Sequence, residues 1–434
     1  PLQSDFAADG KRAGTPWLGM RIADIKHLDA ALVVGAFLRK DQPLLAQRLR
    51  LAAKKNYTQV SQIGLTADDS LISLHANLPT TPSQLAVKLA AVVKAAAELK
   101  GATAPAGLES VQTCDTTRAI AKSLVDGEKA AIFLGNAAVQ SPAATQLQAL
   151  ALELGKLTGA TVGFLGEAAN SVGAYAAGAV ATSGANARTM FEQPRKAYVL
   201  MGVEPEFDSA NPQLVLGALK QAKMVVLLSA FKHVPALEYA DVMLPVAPFT
   251  ETAGTFVNTE GRVQSFNGVA RAKGDSRPGW KVLRVLGNVL NLEGFDYETS
   301  EQVRDAVLGA GAEFAAGLDN GLNGVSVTLP ATAEGLQRVA DVPIYFADAL
   351  VRRSPSLART RDAAAPAARM HADTLAQLGL SAGIQVRVKQ GQGTAVLSAV
   401  EDAAVPAGCV RVAAAHASTA ALGDLFGPIS VERA

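Results

Sequence analysis

The sequence predicts an α/β protein of two parallel-sheet units followed by a small β-rich, barrel-like unit. Two patterns predict it. Short apolar runs alternate with helix-period segments as far as about residue 292, the sign of βαβ units. Beyond Pro366 the apolar period changes to two. Length agrees: 434 residues exceed one ordinary core at roughly 100 to 200 residues per domain. Units are expected over residues 1–108, 109–335 and 336–434.

The first βαβ unit spans residues 29–63: an apolar run at 30–35, a helix opening on Pro43, and a β-branched segment near Val60. Thr81-Pro82 then offers a cap and a first-turn proline to a helix bearing Leu85, Leu89, Val92, Val93, Ala96 and Leu99 at the 3.6 period. Residues 101–109, small and without apolar period, are expected as an exposed linker. A new βα unit begins with AAIFLG at 130–135, and Ser141-Pro142 opens a helix to about Leu157. Strands are expected at 197–203, 223–229 and 240–245, with a helix from Asn211-Pro212 between the first two. Trp280, Leu283, Leu286 and Leu290 share one face of the helix that closes this region. In the final unit Ile384, Val386 and Val388 alternate with Gln385, Arg387 and Lys389, Gly391-Gln392-Gly393 turns the chain, and strands follow at 395–400 and 409–412.

Composition and motifs narrow the chemistry. Forty basic and thirty-nine acidic side chains leave a net charge of +1 with no basic run, which argues against nucleic acid. The longest apolar stretch, at 85–99, carries Lys88 and Lys94, so no membrane insertion is expected. Cys114 and Cys409 stand alone, too few for a cluster or a structural zinc site, and each is expected as a small buried hydrophobe. The histidines, His27, His75, His233, His371 and His416, lack metal-ligand spacing and are expected on the surface or hydrogen-bonded in the core. Neither a G-x-G-x-x-G, a P-loop nor a G-x-S-x-G elbow occurs; Gly135-Asn136-Ala137-Ala138 lacks the second and third glycines of a dinucleotide fingerprint. The opening PLQSDFAADG has no initiator methionine and no signal-peptide pattern, and the sequence is expected to be part of a longer polypeptide.

The most informative stretch is ADVMLPVAPFTETAGTFVNTEGRVQ, residues 240–264. Its Ala240, Asp241, Leu244 and Pro245, then Glu251, Gly254, Thr255, Asn258, Glu260, Arg262 and Gln264, resemble the signature that the molybdopterin-dependent oxidoreductases of the formate dehydrogenase and dimethyl sulfoxide reductase superfamily place after a buried strand, which implies that the strand at 240–245 is buried. With DAALVVGAFLRKDQPLLAQRLRLAA, GEAANSVGAYAAGA and RKAYVLMGVEPEFD it is similar to the large iron–sulfur subunit of bacterial NADH:quinone oxidoreductases, respiratory complex I, over about residues 4–289. The resemblance implies Rossmann-like domains of the molybdopterin oxidoreductase type. It also implies a chain without its own cofactor, since the family's iron–sulfur clusters lie in an N-terminal region absent here and its pterin domain has lost the cofactor.

On that resemblance the chain is a structural, non-catalytic module. Its partners would be other peripheral-arm subunits, on the cytoplasmic side and peripheral to the inner membrane. No catalytic and no metal-binding residue is expected. Gly254, Thr255, Asn258, Glu260, Arg262 and Gln264 are the cofactor-binding candidates should a pterin bind after all. The loop is expected to satisfy itself, with Gly261 at positive φ, Arg262 paired to Glu251 or Glu260, and Asn258 bonded to nearby backbone. A fragment of a catalytic molybdopterin oxidoreductase is the alternative, and an unrelated small-molecule binding protein is a third.

Overall fold

The computed structural model describes residues 3–181, 184–309 and 311–434, without the side chains of 311–313. Its first sheet comprises β1 (Ala30–Val34), β2 (Gln59–Gly64), β3 (Ala76–Pro79), β4 (Ala130–Leu134) and β5 (Thr161–Phe164), all parallel, in the order β3-β2-β1-β4-β5. All five residues of β1 are buried because both faces are covered. Ala30, Leu32 and Val34 meet the helices Leu85–Lys100, Asp115–Asp126 and Ala144–Thr158, whereas Ala31 and Val33 meet Leu45 and Leu49 of the helix Pro43–Asn56. Leu85 and Leu89 therefore serve the sheet as expected, whereas Leu99 near the helix end is 50% exposed.

The expected boundary at residue 108 is corrected. Residues 101–103, 106 and 107 are exposed, but β4 pairs with β1 and Leu108 is fully buried in the core those strands share. One sheet thus runs through the expected linker. Strand order is a non-local choice that the linear period does not encode.

Capping and burial signals divide. Asn211 Oδ1 accepts the Leu214 N–H at 3.0 Å and caps the helix Pro212–Gln221. Thr81 makes no cap bond: a 3₁₀ turn, Pro82–Gln84, comes between it and the helix, and its hydroxyl is buried without a partner. Cys114 is exposed at the start of the helix Asp115–Asp126, contrary to expectation, while Cys409 is buried.

The second sheet holds β6 (Ala197–Met201), β7 (Met224–Ser229) and β8 (Val242–Pro245), parallel and in that order. Tyr198, Leu200, Val225 and Leu227 bury one face against Val215, Leu219 and Tyr239. The other face is open: Val199, Met201 and Met224 are 51%, 47% and 44% exposed, and Val242 and Leu244 of β8 are 38% and 41% exposed. The expected buried strand at 240–245 is therefore an exposed one. The helix Gly279–Val289 leaves Val285, Leu286, Val289 and the following Leu290 uncovered too.

A hairpin, β9 (Gly254–Val257) and β10 (Val263–Phe266), follows. The C-terminal unit is a seven-stranded sheet of β11 (Gln337–Val339), β12 (Ala368–Met370), β13 (Gln385–Gln390), β14 (Gly393–Glu401), β15 (Cys409–Arg411), β16 (Phe426–Pro428) and β17 (Ser430–Arg433), ordered β16-β11-β15-β12-β14-β13-β17. Val386 and Val388 point into its core, as the period of two predicts, and Gly391 turns β13 into β14 at φ 58°. Val339, Cys409 and Phe426 also join the core of the first sheet, so the C-terminal unit packs directly on it.

If residues 101–109 belong to the first core through Leu108, then Leu108→Ala should cost about 2–5 kcal/mol, the range for emptying a buried leucine site. Urea denaturation of the full chain measures it; a loss of a few tenths would restore the linker.

Candidate functional site

The signature loop folds on itself. Gly254 pairs with Phe266 and Val257 with Val263, leaving residues 258–262 as the turn. Asn258 donates its N–H to the Arg262 carbonyl at 3.0 Å, and its Oδ1 accepts the N–H groups of Glu260 at 3.1 Å and Arg262 at 2.9 Å. Gly261 closes the turn at φ 81°, a conformation that favours glycine. Arg262 Nε donates to Glu260 Oε1 at 3.1 Å, and Glu260 Oε2 accepts the Ile22 N–H at 2.8 Å. Glu251 instead accepts the Lys273 N–H, so the two glutamates have different partners. Thr255 bonds Ser265 across the hairpin, Gly254 lies against the Phe266 ring, and Gln264 is exposed.

The tip also docks on the first unit. Leu18 donates its N–H to Thr259 O at 2.8 Å, Thr259 Oγ1 reaches the Phe164 and Leu165 carbonyls, and Val257 donates to Asn170 Oδ1. Of the candidate residues the structure brings Asn258, Glu260 and Arg262 into one bonded group. Within that group Asn258 Oδ1 and both Glu260 oxygens are engaged, while Arg262 spends its Nε on Glu260 and keeps its side chain 66% exposed.

Open parallel sheets bind ligands outside the carboxyl ends of their strands, at the point where strand order reverses. In the first sheet that point lies between β1 and β4. Direct packing closes it: a Cβ on Gly135 would stand 2.4 Å from Ala36 Cβ, and one on Gly35 2.6 Å from Ala138 N. Beside it, a cleft of about 550 Å³ opens between the ends of β1 and β2 and the C-terminal unit. Arg411 spans this junction, 2.8 Å from Asp68 and 3.0 Å from Asp341, with its guanidinium over the Phe37 ring. Lys40 pairs with Asp362. Burial, with the Asp341 charge added, pushes the Asp41 carboxyl up to about 7.

The second sheet, ordered β6-β7-β8, has no such reversal, and a buried ionic network lies at its carboxyl end. Glu204, Glu206 and Asp208 follow β6, and His233 follows β7. His233 places Nδ1 3.2 Å from Glu204 Oε1 and Nε2 3.0 Å from Glu206 Oε2. Arg352 Nη1 donates to Glu204 Oε2 at 2.9 Å, and its Nη2 to Asp208. Arg353 Nη2 lies 2.5 Å from Glu204 Oε1, an ion pair by distance without hydrogen-bond alignment, since that oxygen has no aligned donor. Burial works against the Glu204 charge, yet the Arg353 and Arg352 guanidinium groups beside it outweigh it and hold the carboxyl below its ordinary range. Burial and the Glu206 charge push the Tyr239 phenol up.

Sequence reasoning misses this network. It expects His233 only as a hydrogen-bonded core histidine or a surface one, and the structure makes it the former. The carboxylates stand at every second position, which looks like a solvated turn. The arginine partners of Glu204 and Asp208 lie about 150 residues away.

The model of the molybdopterin oxidoreductase family matches residues 2–289. The chain belongs to the molybdopterin oxidoreductase family. An NADH-quinone oxidoreductase subunit of Mycobacterium bovis is 27% identical over 421 residues, covering 91% of this chain and 49% of that protein. The chain thus spans about half the length of that relative. The mitochondrial 78 kDa subunit of NADH-ubiquinone oxidoreductase from Neurospora crassa is 34% identical over 137 residues, 28% of this chain and 18% of its own. A putative formate dehydrogenase of Staphylococcus haemolyticus is 31% identical over 110 residues, 25% of this chain and 11% of its own. In fold, acetylene hydratase from Pelobacter acetylenicus superposes with a TM-score of 0.66 at 14% identity, covering 98% of this chain and 80% of that one.

Two outcomes test this geometry. A Cβ on Gly261 would approach Leu318 Cδ1 to 2.3 Å at a left-handed φ, so Gly261→Val should destabilise by about 2–4 kcal/mol in chemical denaturation. For Asp41, a folded pKa of about 7 above the ordinary 3.8 means the folded state keeps the proton longer. Its contribution to stability is therefore full below about pH 4 and is lost as pH rises toward about 7. Asp41→Asn keeps the neutral shape; it should gain about 1–3 kcal/mol at pH 8 and change little at pH 4. Thermal melts at both pH values decide it, and equal effects would place Asp41 in solvent.

Proposed function

We propose that this chain is a cofactor-free structural module of the large iron–sulfur subunit of an NADH-quinone oxidoreductase. In this reading it supports the electron-transfer arm and carries no electrons. The observation that supports it most is the match with the Mycobacterium bovis protein, which extends over 91% of the chain. The hydrogen bonds that Asn258, Glu260 and Arg262 make among themselves support the cofactor-free part. A pterin dinucleotide's phosphates would also meet the Glu260 carboxylate that Arg262 pairs with.

The open face of the second sheet bears on partners. Parallel sheets are normally covered on both sides, and Val199, Met201, Met224, Val242 and Leu244 lie uncovered here. An apolar surface of that kind supports a place against other peripheral-arm polypeptides. Among the described residues no helix is long and apolar enough to cross a membrane. That is compatible with a peripheral position on the cytoplasmic side of the inner membrane.

The second reading, a fragment of a catalytic molybdopterin oxidoreductase, is favoured by the similarity to formate dehydrogenase-like proteins. Elemental analysis and pterin fluorescence of the purified chain separate the two. We expect molybdenum, tungsten and pterin far below one equivalent and no turnover in an NADH–ferricyanide assay. A stoichiometric metal or pterin would establish the catalytic reading instead.

A further inference from the structure

The C-terminal sheet contains one connection that travels far outside it. Between β11 and β12 the chain runs through residues 340–367 as a series of short 3₁₀ turns, among them Val351–Arg353 and Arg361–Ala363. It visits the carboxyl ends of both parallel sheets. Asp341, Ile344, Asp362 and Pro366 wall the cleft over β1 and β2. Arg352 and Arg353 enter the network beyond β6 and β7.

The chemistry there is opposite to that of a phosphate site. An anion site at a sheet end offers backbone N–H groups and cations. This one offers Glu204, Glu206 and Asp208, whose side chains are 3%, 11% and 19% exposed. A pyrophosphate brought to these carboxylates would meet like charges at low dielectric. The guanidinium groups instead are opposite to them in sign and complementary in geometry, and each also lies over a ring, Arg352 over Phe207 at 4.9 Å and Arg353 over Phe231 at 4.7 Å. Arg352 Nε further donates to the Phe346 carbonyl at 2.8 Å, which fixes the connection's own shape while its Nη atoms face the carboxylates.

We infer that the β11–β12 connection is the resident occupant of the crevice at the carboxyl end of the second sheet: Arg352 and Arg353 cover, from within the chain, the strand ends outside which a phosphate-bearing ligand would bind. The dinucleotide implied by the family does not fit the residues at this crevice. This inference rests on the cofactor-free reading and extends it, and the two fail separately. Pterin analysis tests the reading, while the experiment below tests the occupant.

Hydrogen exchange followed by mass spectrometry is measured on the full chain and on Arg353→Ala, which removes one ion pair and one ring contact of a side chain 30% exposed. Exchange over residues 344–358 should rise about tenfold or more while the first sheet is unaffected. Unchanged exchange there would overturn the inference. Calorimetry with guanosine diphosphate and with inorganic pyrophosphate should give no saturable binding to the unaltered chain. It should also give none to folded Arg352→Ala/Arg353→Ala, because the carboxylates remain. Micromolar binding that is lost in Arg353→Ala would make the arginines phosphate ligands and refute the assignment. If the double variant fails to fold, Arg353→Ala supplies both readouts.

Discussion

A parallel strand has to be buried on both faces, and the architecture of this chain follows from how far each sheet meets that requirement. In the first sheet the central strands β1 and β4 meet it completely. Leu32 and Val34 face one helical layer, Val33 faces the other, and each is wholly buried. The C-terminal unit then adds Val339, Cys409 and Phe426 to one of these cores, so it is an extension of the first unit more than a separate body. The second sheet meets the requirement on one side only, through Tyr198, Leu200 and Leu227. Its remaining face gives the chain an apolar surface that its own helices do not cover.

The charged contacts divide along the same line. Arg411, between Asp68 and Asp341, joins the C-terminal unit to the first sheet, and Arg352, between Glu204 and Asp208, joins it to the second. Arg338 is different: 1% exposed, it donates to Gln390 and to backbone carbonyls of residues 412, 423 and 424 within the C-terminal unit, and burial lowers its pKa to about 10. It holds strand ends together where no apolar side chain could satisfy the carbonyls. Arg338 aside, these charged contacts sit at junctions between units.

Much of the fold is legible because strands and helices announce themselves locally. The runs AALVV, AAIFL and MVVLLS form β1, β4 and β7, and the alternation around Val386 and Val388 forms β13. Asn211-Pro212 marks its helix through a bond that spans three residues. What the pattern does not convey is pairing at a distance. The boundary at residue 108 fails because β4 lies beside β1, and the expectation of a buried β8 fails because nothing in its own residues says whether a second layer exists to cover it. The hairpin candidates are legible for a related reason: Asn258, Glu260, Gly261 and Arg262 bond within a few residues, so the chemistry of the turn lies in the turn's own sequence. Glu204, His233 and Arg352 are not legible, because each is ordinary until the fold assembles them.

The energetics of that assembly limit what it can be for. Removing guanidinium and carboxylate groups from water costs several kcal/mol per ion, and their attraction repays roughly that amount only with good geometry, so a buried ion network adds little net stability over apolar packing. It adds selectivity of arrangement. An apolar filling of the crevice beyond β6 would tolerate many positions of residues 340–367, whereas Glu204, placed between Arg352, Arg353 and His233, accepts one. A misplaced connection would leave a carboxylate unpaired at low dielectric, a penalty larger than the pair's own worth. The network thus fixes the C-terminal unit against the second sheet, and with it the orientation of the uncovered apolar face. For a module whose proposed work is to present surfaces to neighbouring polypeptides, such positional specificity matters more than added stability.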